Sequence, residues 1–193
     1  MSYNFIGIIN FNKKKPIELI RALIELKYDV VTVEHYQDYV HVVKNANDVE
    51  RWILYGNDYY GYISSINEVN MNLFALDKHF LLYSYPMQSF LKQKGVSISG
   101  TSTVHKGELK LPMTKSYLFE NMRRNKHVDI YRHHKHYVKG EHDHLDVLNK
   151  HGDMIMTAKY KDSSCKNKVV LVQWLPEKTI DGKVFLHNWM CKN

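Results

Sequence analysis

The feature that most limits how this chain folds is a strand, helix, strand pattern at its start. Residues 5–11 form an almost continuous apolar run bounded by polar residues, as expected for a strand buried on both faces. Residues 16–28 follow with apolar side chains at helical spacing, and Pro16 suits the first helical turn. Residues 29–33 are then a second β-branched run. The pattern predicts a βαβ unit in a mostly parallel sheet with helices on both faces.

A second strand-to-helix junction stands near the middle of the chain. The apolar run 80–83 leads directly into a helix-like run that stops at Gly95. This strand, tight turn and helix layout is that of a nucleophile elbow, with Ser84 at the turn. Elbows usually carry small residues two before and two after the nucleophile, where this chain has Leu82 and Pro86. Because proline biases the preceding residue away from helical angles, we expect a relaxed turn here.

Two segments together resemble a known family. Residues 82–88 (LYSYPMQ) and 172–177 (VQWLPE) resemble the Gly-x-Cys-x-Gly-x-Gln and Gln-Phe-His-Pro-Glu patterns of the class I glutamine amidotransferases. Residues 131–138 resemble the family's Ser-His-x-x-x-Val segment. Residues 111–120 resemble the family's stretch that leads into that segment. Residues 181–191 resemble the closing helix. The chain is also similar in length to the stand-alone glutaminase subunit of two-subunit GMP synthetases.

The resemblance implies a fold and an organisation. The expected fold is a flavodoxin-like three-layer α/β sandwich with a mostly parallel central sheet, formed by residues 1–193 as a single domain. In such a fold the ligand space lies at the carboxyl ends of the strands. Active relatives hydrolyse glutamine and pass ammonia to a synthetase partner, so a synthetase-type protein partner is expected.

The resemblance also assigns the catalytic positions. Ser84 stands at the position of the nucleophilic cysteine, Leu175 at that of the histidine base, and Glu177 at that of the carboxylate that orients the histidine. A serine hydroxyl attacks only when a base removes its proton, and a leucine cannot do so. Glu177 without an imidazole has nothing to orient. Two of the three groups are therefore changed.

The remaining pocket positions follow from the same resemblance. The loop after residues 52–55 corresponds to the glycine-rich oxyanion loop, and bulky Tyr59 and Tyr60 narrow it because only glycine lets the backbone approach closely. The positions carried over to the oxyanion and ligand pocket are Gly56, Asn57, Tyr85, Gln88 and His134. Glu177 and Gln88 are expected to line a small apolar pocket. Further along, Ser65 and Glu68 have capping-box spacing, which predicts a helix through about Asp77.

A group of histidines offers either a base or a metal site. Its members are His133, His134, His136, His142 and His144. Residues two apart project from one face of a strand, so the pair His134 and His136 and the pair His142 and His144 could each present two imidazoles. Spacing alone is weak, and the interpretation we favour is a solvated histidine-rich hairpin with no metal and no cofactor. A histidine displaced from this group towards Ser84 remains the alternative.

Charge and cysteine content limit the setting. The chain has 27 Lys and Arg against 20 Asp and Glu, a formal excess of 7 that permits an anionic partner. The candidate basic patches are residues 13–15, residues 123–126, and Lys159 and Lys161 with Lys166 and Lys168. Cys165 and Cys191 do not form a disulfide framework, which favours a reducing cytoplasmic setting. No apolar run is long enough to span a bilayer, so no membrane partner is expected.

These observations leave three hypotheses for function. The first is a catalytically inactive pseudo-glutaminase that acts through a partner or a ligand. The second is an active amidohydrolase, similar to the glutaminase component of a GMP synthetase, that uses Ser84 with a relocated histidine. The third is a basic nucleotide-binding or nucleic-acid-binding module that reuses this scaffold.

Overall fold

A seven-stranded sheet organises the chain. The computed structural model describes residues 4–56, 68–122, 126–140, 142–161 and 168–191. Strands β1 (Phe5–Asn10), β2 (Asp29–Glu34), β3 (Arg51–Tyr55), β4 (His79–Tyr83) and β9 (Val169–Val172) pair in parallel. Strands β7 (Leu145–His151) and β8 (Met154–Tyr160) extend the same sheet in antiparallel fashion. The order is β2-β1-β3-β4-β9-β8-β7, which confirms the mostly parallel central sheet.

Helices cover both faces of this sheet. Helices α1 (Ile17–Glu25) and α4 (Ile180–Cys191) pack on one face, where Leu19, Leu23 and Phe185 are fully buried. Helices α2 (Tyr39–Asn45) and α3 (Ser84–Gln93) pack on the other face, with Val43 and Phe90 in the second core. The result is the three-layer α/β sandwich that the sequence predicts.

Close packing between strands explains one glycine in the first apolar run. Gly7 lies in β1 next to Trp52 of β3. A Cβ atom on Gly7 would stand 2.1 Å from the Trp52 ring, closer than any real contact. The fully buried indole therefore occupies the space that a side chain at position 7 would need.

A separate two-stranded sheet lies beside the sandwich. Strands β5 (Ile98–Pro112) and β6 (His127–Val138) pair antiparallel, with a register irregularity between Gly100 and His105. The β6 strand reaches the main sheet through a bridge between Arg132 and Trp174. This contact places β6 beside the segment that follows β9.

One predicted helix is absent. The helix predicted from the capping-box spacing, from Ser65 to about Asp77, is wrong for the described part of that segment, which contains a short 3-10 helix, Met71–Ala75, capped by Asn70. The reason is tertiary: the Val69 N–H donates to Ser89 Oγ (3.0 Å), and the Val69 carbonyl accepts from Gln93 Nε2 (2.8 Å). These two hydrogen bonds hold Val69 against α3 just before the 3-10 helix. Ser65 itself lies outside the described residues.

The described helices are short compared with the thickness of a bilayer. None of those in the described ranges combines the length and the apolar character needed to cross a membrane.

Candidate functional site

Ser84 lies at the junction of β4 and α3 in a strained backbone conformation. Its φ is +28°, a value that residues with a Cβ rarely adopt. The helix begins at Ser84 itself, so Tyr85 lies in the first helical turn in spite of Pro86. The expectation of a relaxed turn is therefore wrong. A proline in the first helical turn is tolerated because the N–H that it lacks has no partner within the helix.

The strain at Ser84 follows from the packing around it. Strand β4 is paired on both sides, and α3 begins at the residue after its end, so the whole reversal falls on one residue. Pro86 packs against Gly56, where an added Cβ would lie 2.7 Å from Pro86 Cδ. The surroundings thus hold the turn in a conformation that costs about 1–3 kcal/mol.

The backbone N–H that would form half of an oxyanion hole is engaged. The Tyr85 N–H donates to the carbonyl of Gly56, with 3.3 Å between nitrogen and oxygen. It therefore points to the protein rather than to a ligand oxygen. Gly56 is buried at the end of the β3 segment. Asn57, Tyr59 and Tyr60 lie outside the described residues, so the narrowing of this loop remains a prediction.

Ser84 and Leu175 are both buried. Ser84 is 1% exposed, and its Oγ has no hydrogen-bond partner among the residues that the structure describes. Leu175 packs in the core that α1 and α4 cover, and its N–H donates to the Tyr131 carbonyl at 2.8 Å. The Leu175 side chain thus contributes apolar packing and offers no proton acceptor.

Glu177 belongs to a buried cluster with two tyrosines. Tyr55 Oη donates to Glu177 Oε1 at 3.3 Å, and the rings of Tyr55 and Tyr83 are 5.3 Å apart. Glu177 Oε2 and Tyr83 Oη have no hydrogen-bond partner within the described ranges. We call Tyr55, Tyr83 and Glu177 the tyrosine–glutamate cluster.

The electrostatics of this cluster follow from its burial. Burial raises the pKa of the Glu177 carboxyl to about 7, although its own backbone N–H, Lys178 and the Tyr55 hydroxyl favour the charged form. Burial, with the nearby Glu177 charge, also raises the pKa of both tyrosine hydroxyls. The hydroxyls therefore stay neutral, and the carboxyl exchanges its proton near neutral pH. The hydrogen-bond donor to the Glu177 carboxyl is therefore a phenol.

Gln88 and His134 belong to a second buried network. Gln88 Nε2 donates to Gln173 Oε1 (3.1 Å) and to the His136 carbonyl (3.0 Å). His134 Nδ1 donates to the Gln173 carbonyl at 3.2 Å. This network ties α3, β6 and the end of β9 together. Gln88 is 1% exposed, so its amide binds inside the protein instead of facing an open cavity.

The histidines of residues 133–144 lie in two different environments. His134 is fully buried on β6, with its ring 5.5 Å from that of His105. His142 and His144 lie in the loop before β7, where His142 Nε2 binds the Lys139 carbonyl at 3.0 Å. The prediction that these two share one strand face is therefore wrong. In the ranges that the structure covers, no three His, Cys, Asp or Glu side chains are arranged to hold a metal ion.

The structure thus brings together some of the predicted site residues. Ser84, Gly56 and Tyr85 meet at one junction, while Gln88 and His134 are joined through Gln173. Sequence reasoning missed the roles of Tyr55 and Tyr83. Both are the last residues of adjacent parallel strands, and that shared position was the signal that could have paired them.

Comparison with known proteins shows which solved structures have a similar fold. No protein-family model and no curated protein sequence matches the chain. Its structure is similar to that of a protein from Thermoplasma acidophilum described as part of a GMP synthase, with a TM-score of 0.74 and 13% identity over 98% of this chain and 94% of that one. It is also similar to PurLQS from Thermotoga maritima, with a TM-score of 0.72 and 14% identity over 98% of both chains. The protein therefore has a glutamine amidotransferase-like fold.

Proposed function

We propose that this protein is a class I glutamine amidotransferase-like protein that has lost glutamine hydrolysis and acts by binding a partner or a ligand. The observation that carries the proposal is the environment of Ser84. Its hydroxyl is buried and meets no base among the described residues, while Leu175 occupies the base position. An unionised hydroxyl without a base does not attack an amide carbonyl at a useful rate.

The oxyanion side of the site supports the same proposal. Transition-state stabilisation requires donors aimed at the developing negative charge, and losing one donor typically costs about 100-fold to 1,000-fold in rate. The Tyr85 N–H is bound to the Gly56 carbonyl. Chemistry at Ser84 would therefore require a rearrangement of this junction as well as a new base.

A synthetase-type protein partner belongs to this proposal. The similar solved proteins carry names that refer to GMP synthase and to PurLQS. On this proposal the scaffold of the chain serves to contact a synthetase-type subunit. Size-exclusion chromatography of the protein mixed with the synthetase subunit of its own source tests this, and separate elution of the two chains would contradict it.

Glutaminase assays test the loss of hydrolysis directly. Ammonia release from glutamine is measured for the native protein, for Ser84→Ala, and for the double variant Ser84→Cys with Leu175→His. We expect the native protein to equal Ser84→Ala at background. Ammonia from the double variant alone would show that a glutamine pocket survives around an inert centre. Ammonia from the native protein that Ser84→Ala abolishes would refute the proposal.

A second candidate is an active hydrolase that uses Ser84. The observation that favours it is the strained φ of +28°, because such strain often marks functional positions. A relocated base is proposed to come from the histidine group of residues 133–144, of which His134 is bound to the Gln173 carbonyl. A fluorophosphonate probe tests it: labelling that Ser84→Ala removes would favour a hydrolase, and an unlabelled protein would favour the first proposal.

The proposal also covers domain organisation, location and the charge of a partner. Residues 1–193 are proposed to form one domain, located in the cytoplasm. An anionic partner is proposed from the formal excess of 7 positive charges. Ion pairs such as Lys168 with Asp77 and Lys183 with Glu25 leave this net excess unchanged, because the acidic residues are already subtracted in it. Nucleic-acid binding whose affinity falls steeply as salt increases would support the anionic partner. An absence of binding at low salt would contradict it.

A further inference from the structure

The inner face of the two-stranded sheet carries an arginine that has no polar partner among the described residues. Arg132 lies in β6 between Ile130 and His134, which are both fully buried. Because residues two apart in a strand share a face, Arg132 also projects towards the protein. Its Nε is shut off from solvent without a hydrogen-bond partner, and none of the ion pairs in the described ranges includes it. A buried charged donor is costly unless something binds it.

Two histidines lie beside this guanidinium. His105 of β5 pairs with His134, with 5.5 Å between the ring centres, so it shares the inner face with Arg132. His151 is the last residue of β7, against which β5 packs. Burial lowers the pKa of His151, and the charges of Arg132 and His105 lower it further. Strands β5, β6 and β7 therefore bring one basic side chain each to the same place.

The residue opposite Arg132 leaves room for a ligand. Gly107 of β5 pairs with Arg132 and has a φ of +123°, which residues with a side chain rarely adopt. A Cβ atom built on Gly107 would have no atom within 4 Å, so the space beside it is open. Arg132, His105 and His151 are each partly exposed. A small solute can therefore reach them from solvent.

The chemistry of the three side chains is that of an oxyanion site. A guanidinium donates to two oxygens through its planar fork, and a neutral imidazole donates one N–H. No carboxylate of the described residues pairs with Arg132, so its charge is uncompensated there. Donors from three strands suit the three oxygens of a terminal phosphate group better than the two coplanar oxygens of a carboxylate.

We propose that Arg132, His105 and His151 form a binding site for a phosphate group. Arg132 supplies the charge and two donors, and each histidine supplies one N–H. The proposal rests on the anionic partner proposed above and specifies its chemistry. Neither Ser84 nor Leu175 belongs to the site, and His151 ends a strand that β9 and β8 separate from β4.

Titration of the full chain with inorganic phosphate tests this site. Binding is followed by phosphorus NMR at about pH 7.5, with sodium chloride added to keep the ionic strength constant. We expect Arg132→Gln to weaken phosphate binding by about tenfold or more, because it removes a charge-assisted contact. His105→Ala and His151→Ala should each weaken it by about fivefold, the effect of one neutral hydrogen bond.

Two further variants separate the site from a general effect of charge and from misfolding. Arg21→Gln removes the same charge at an exposed position of α1 and should leave phosphate binding unchanged. Arg132→Lys keeps the charge but loses the planar fork, so it should bind with intermediate affinity. It remains informative if Arg132→Gln fails to fold.

Competing ligands identify the chemical class and its source. Phenyl phosphate should displace inorganic phosphate, whereas acetate should displace it only weakly. Tighter binding of inorganic phosphate would indicate the free ion as the source, and tighter binding of phenyl phosphate would indicate a phosphorylated small molecule. Both results support a phosphate site.

Three results would overturn the proposal. The first is an absence of saturable phosphate binding by the native protein, and the second is binding that Arg132→Gln retains in full. The third is displacement by acetate as strong as that by phenyl phosphate. Ammonia release and salt-dependent nucleic-acid binding are measured separately, so a failure here is distinguishable from a failure of the proposed function.

Discussion

Replacing Glu177 by glutamine tests whether the tyrosine–glutamate cluster holds a carboxyl group that is neutral at mildly acidic pH. Glutamine keeps the shape of the side chain and an oxygen that accepts from Tyr55 Oη. Burial raises the pKa of Glu177 from an ordinary 4.5 to about 7. At 1.36 kcal/mol for each pKa unit, this difference corresponds to about 3 kcal/mol.

The sign follows from proton binding in the two states. Between pH 4.5 and about pH 7 the folded protein holds the Glu177 proton while the unfolded chain has released it. The unfolded state then binds fewer protons, so this group's contribution to stability falls as pH rises through the window. It is fully present below the unfolded pKa and is lost above about pH 7. Glu177→Gln has no such proton and should lack this loss.

The assay is urea denaturation of both proteins at several pH values between 4.5 and 8. The free energy of unfolding of Glu177→Gln minus that of the native protein is expected to increase by about 3 kcal/mol across the series. Taking the difference removes the opposite effect of His79 and His151, whose pKa values burial lowers. These histidines lower the free energy of unfolding as pH falls, and they do so equally in both proteins.

A matched control uses the partly exposed Glu18, which pairs with Lys178 near the cluster. Glu18→Gln removes an exposed carboxylate while Glu177 stays in place, so it reports what the loss of a surface charge alone does to the free energy of unfolding. A difference for Glu177→Gln that stays constant with pH would refute the reasoning. It would mean that water reaches the carboxyl or that the cluster opens at neutral pH.

Two further predictions concern packing around the site. Gly182→Ala should lower the free energy of unfolding by about 1–3 kcal/mol, because its Cβ would lie 2.0 Å from the Pro176 carbonyl oxygen; an unchanged urea midpoint would contradict this. Gln88→Leu should lower the free energy of unfolding by about 1–3 kcal/mol in the same assay, since it removes the amide that donates to Gln173 Oε1 and to the His136 carbonyl. A midpoint equal to that of the native protein would show that Gln88 faces water instead.

The parts of the fold that the sequence predicts are those where burial gives a simple pattern. Strands buried on both faces have uninterrupted apolar runs, and β1 and β4 lie where such runs occur. Helix α1 was predicted over residues 16–28 and ends at Glu25, because Lys27 takes a φ of +69° that closes the helix. Patterns of this kind predict that a helix or strand exists, but its end residues depend on local backbone geometry.

The parts that the sequence does not predict depend on contacts between distant segments. Nothing local in residues 68–77 reveals that Val69 binds Ser89 and Gln93 of α3, or that only a short 3-10 helix forms there. The cluster of Tyr55 with Glu177 joins positions 122 residues apart. A resemblance can assign the position of Glu177 in a motif. Its hydrogen bond with Tyr55 becomes visible only in the three-dimensional structure.

The turn at Ser84 shows why geometry and chemistry must be judged separately. Pro86 argues locally for a relaxed turn, yet Ser84 keeps a positive φ because the strand and helix leave one residue for the reversal. The same packing binds the Tyr85 N–H to the Gly56 carbonyl. A strained elbow is thus maintained by the fold whether or not a reaction uses it. The proposed loss of hydrolysis therefore rests on the unpartnered Ser84 hydroxyl among the described residues, and not on the shape of the turn.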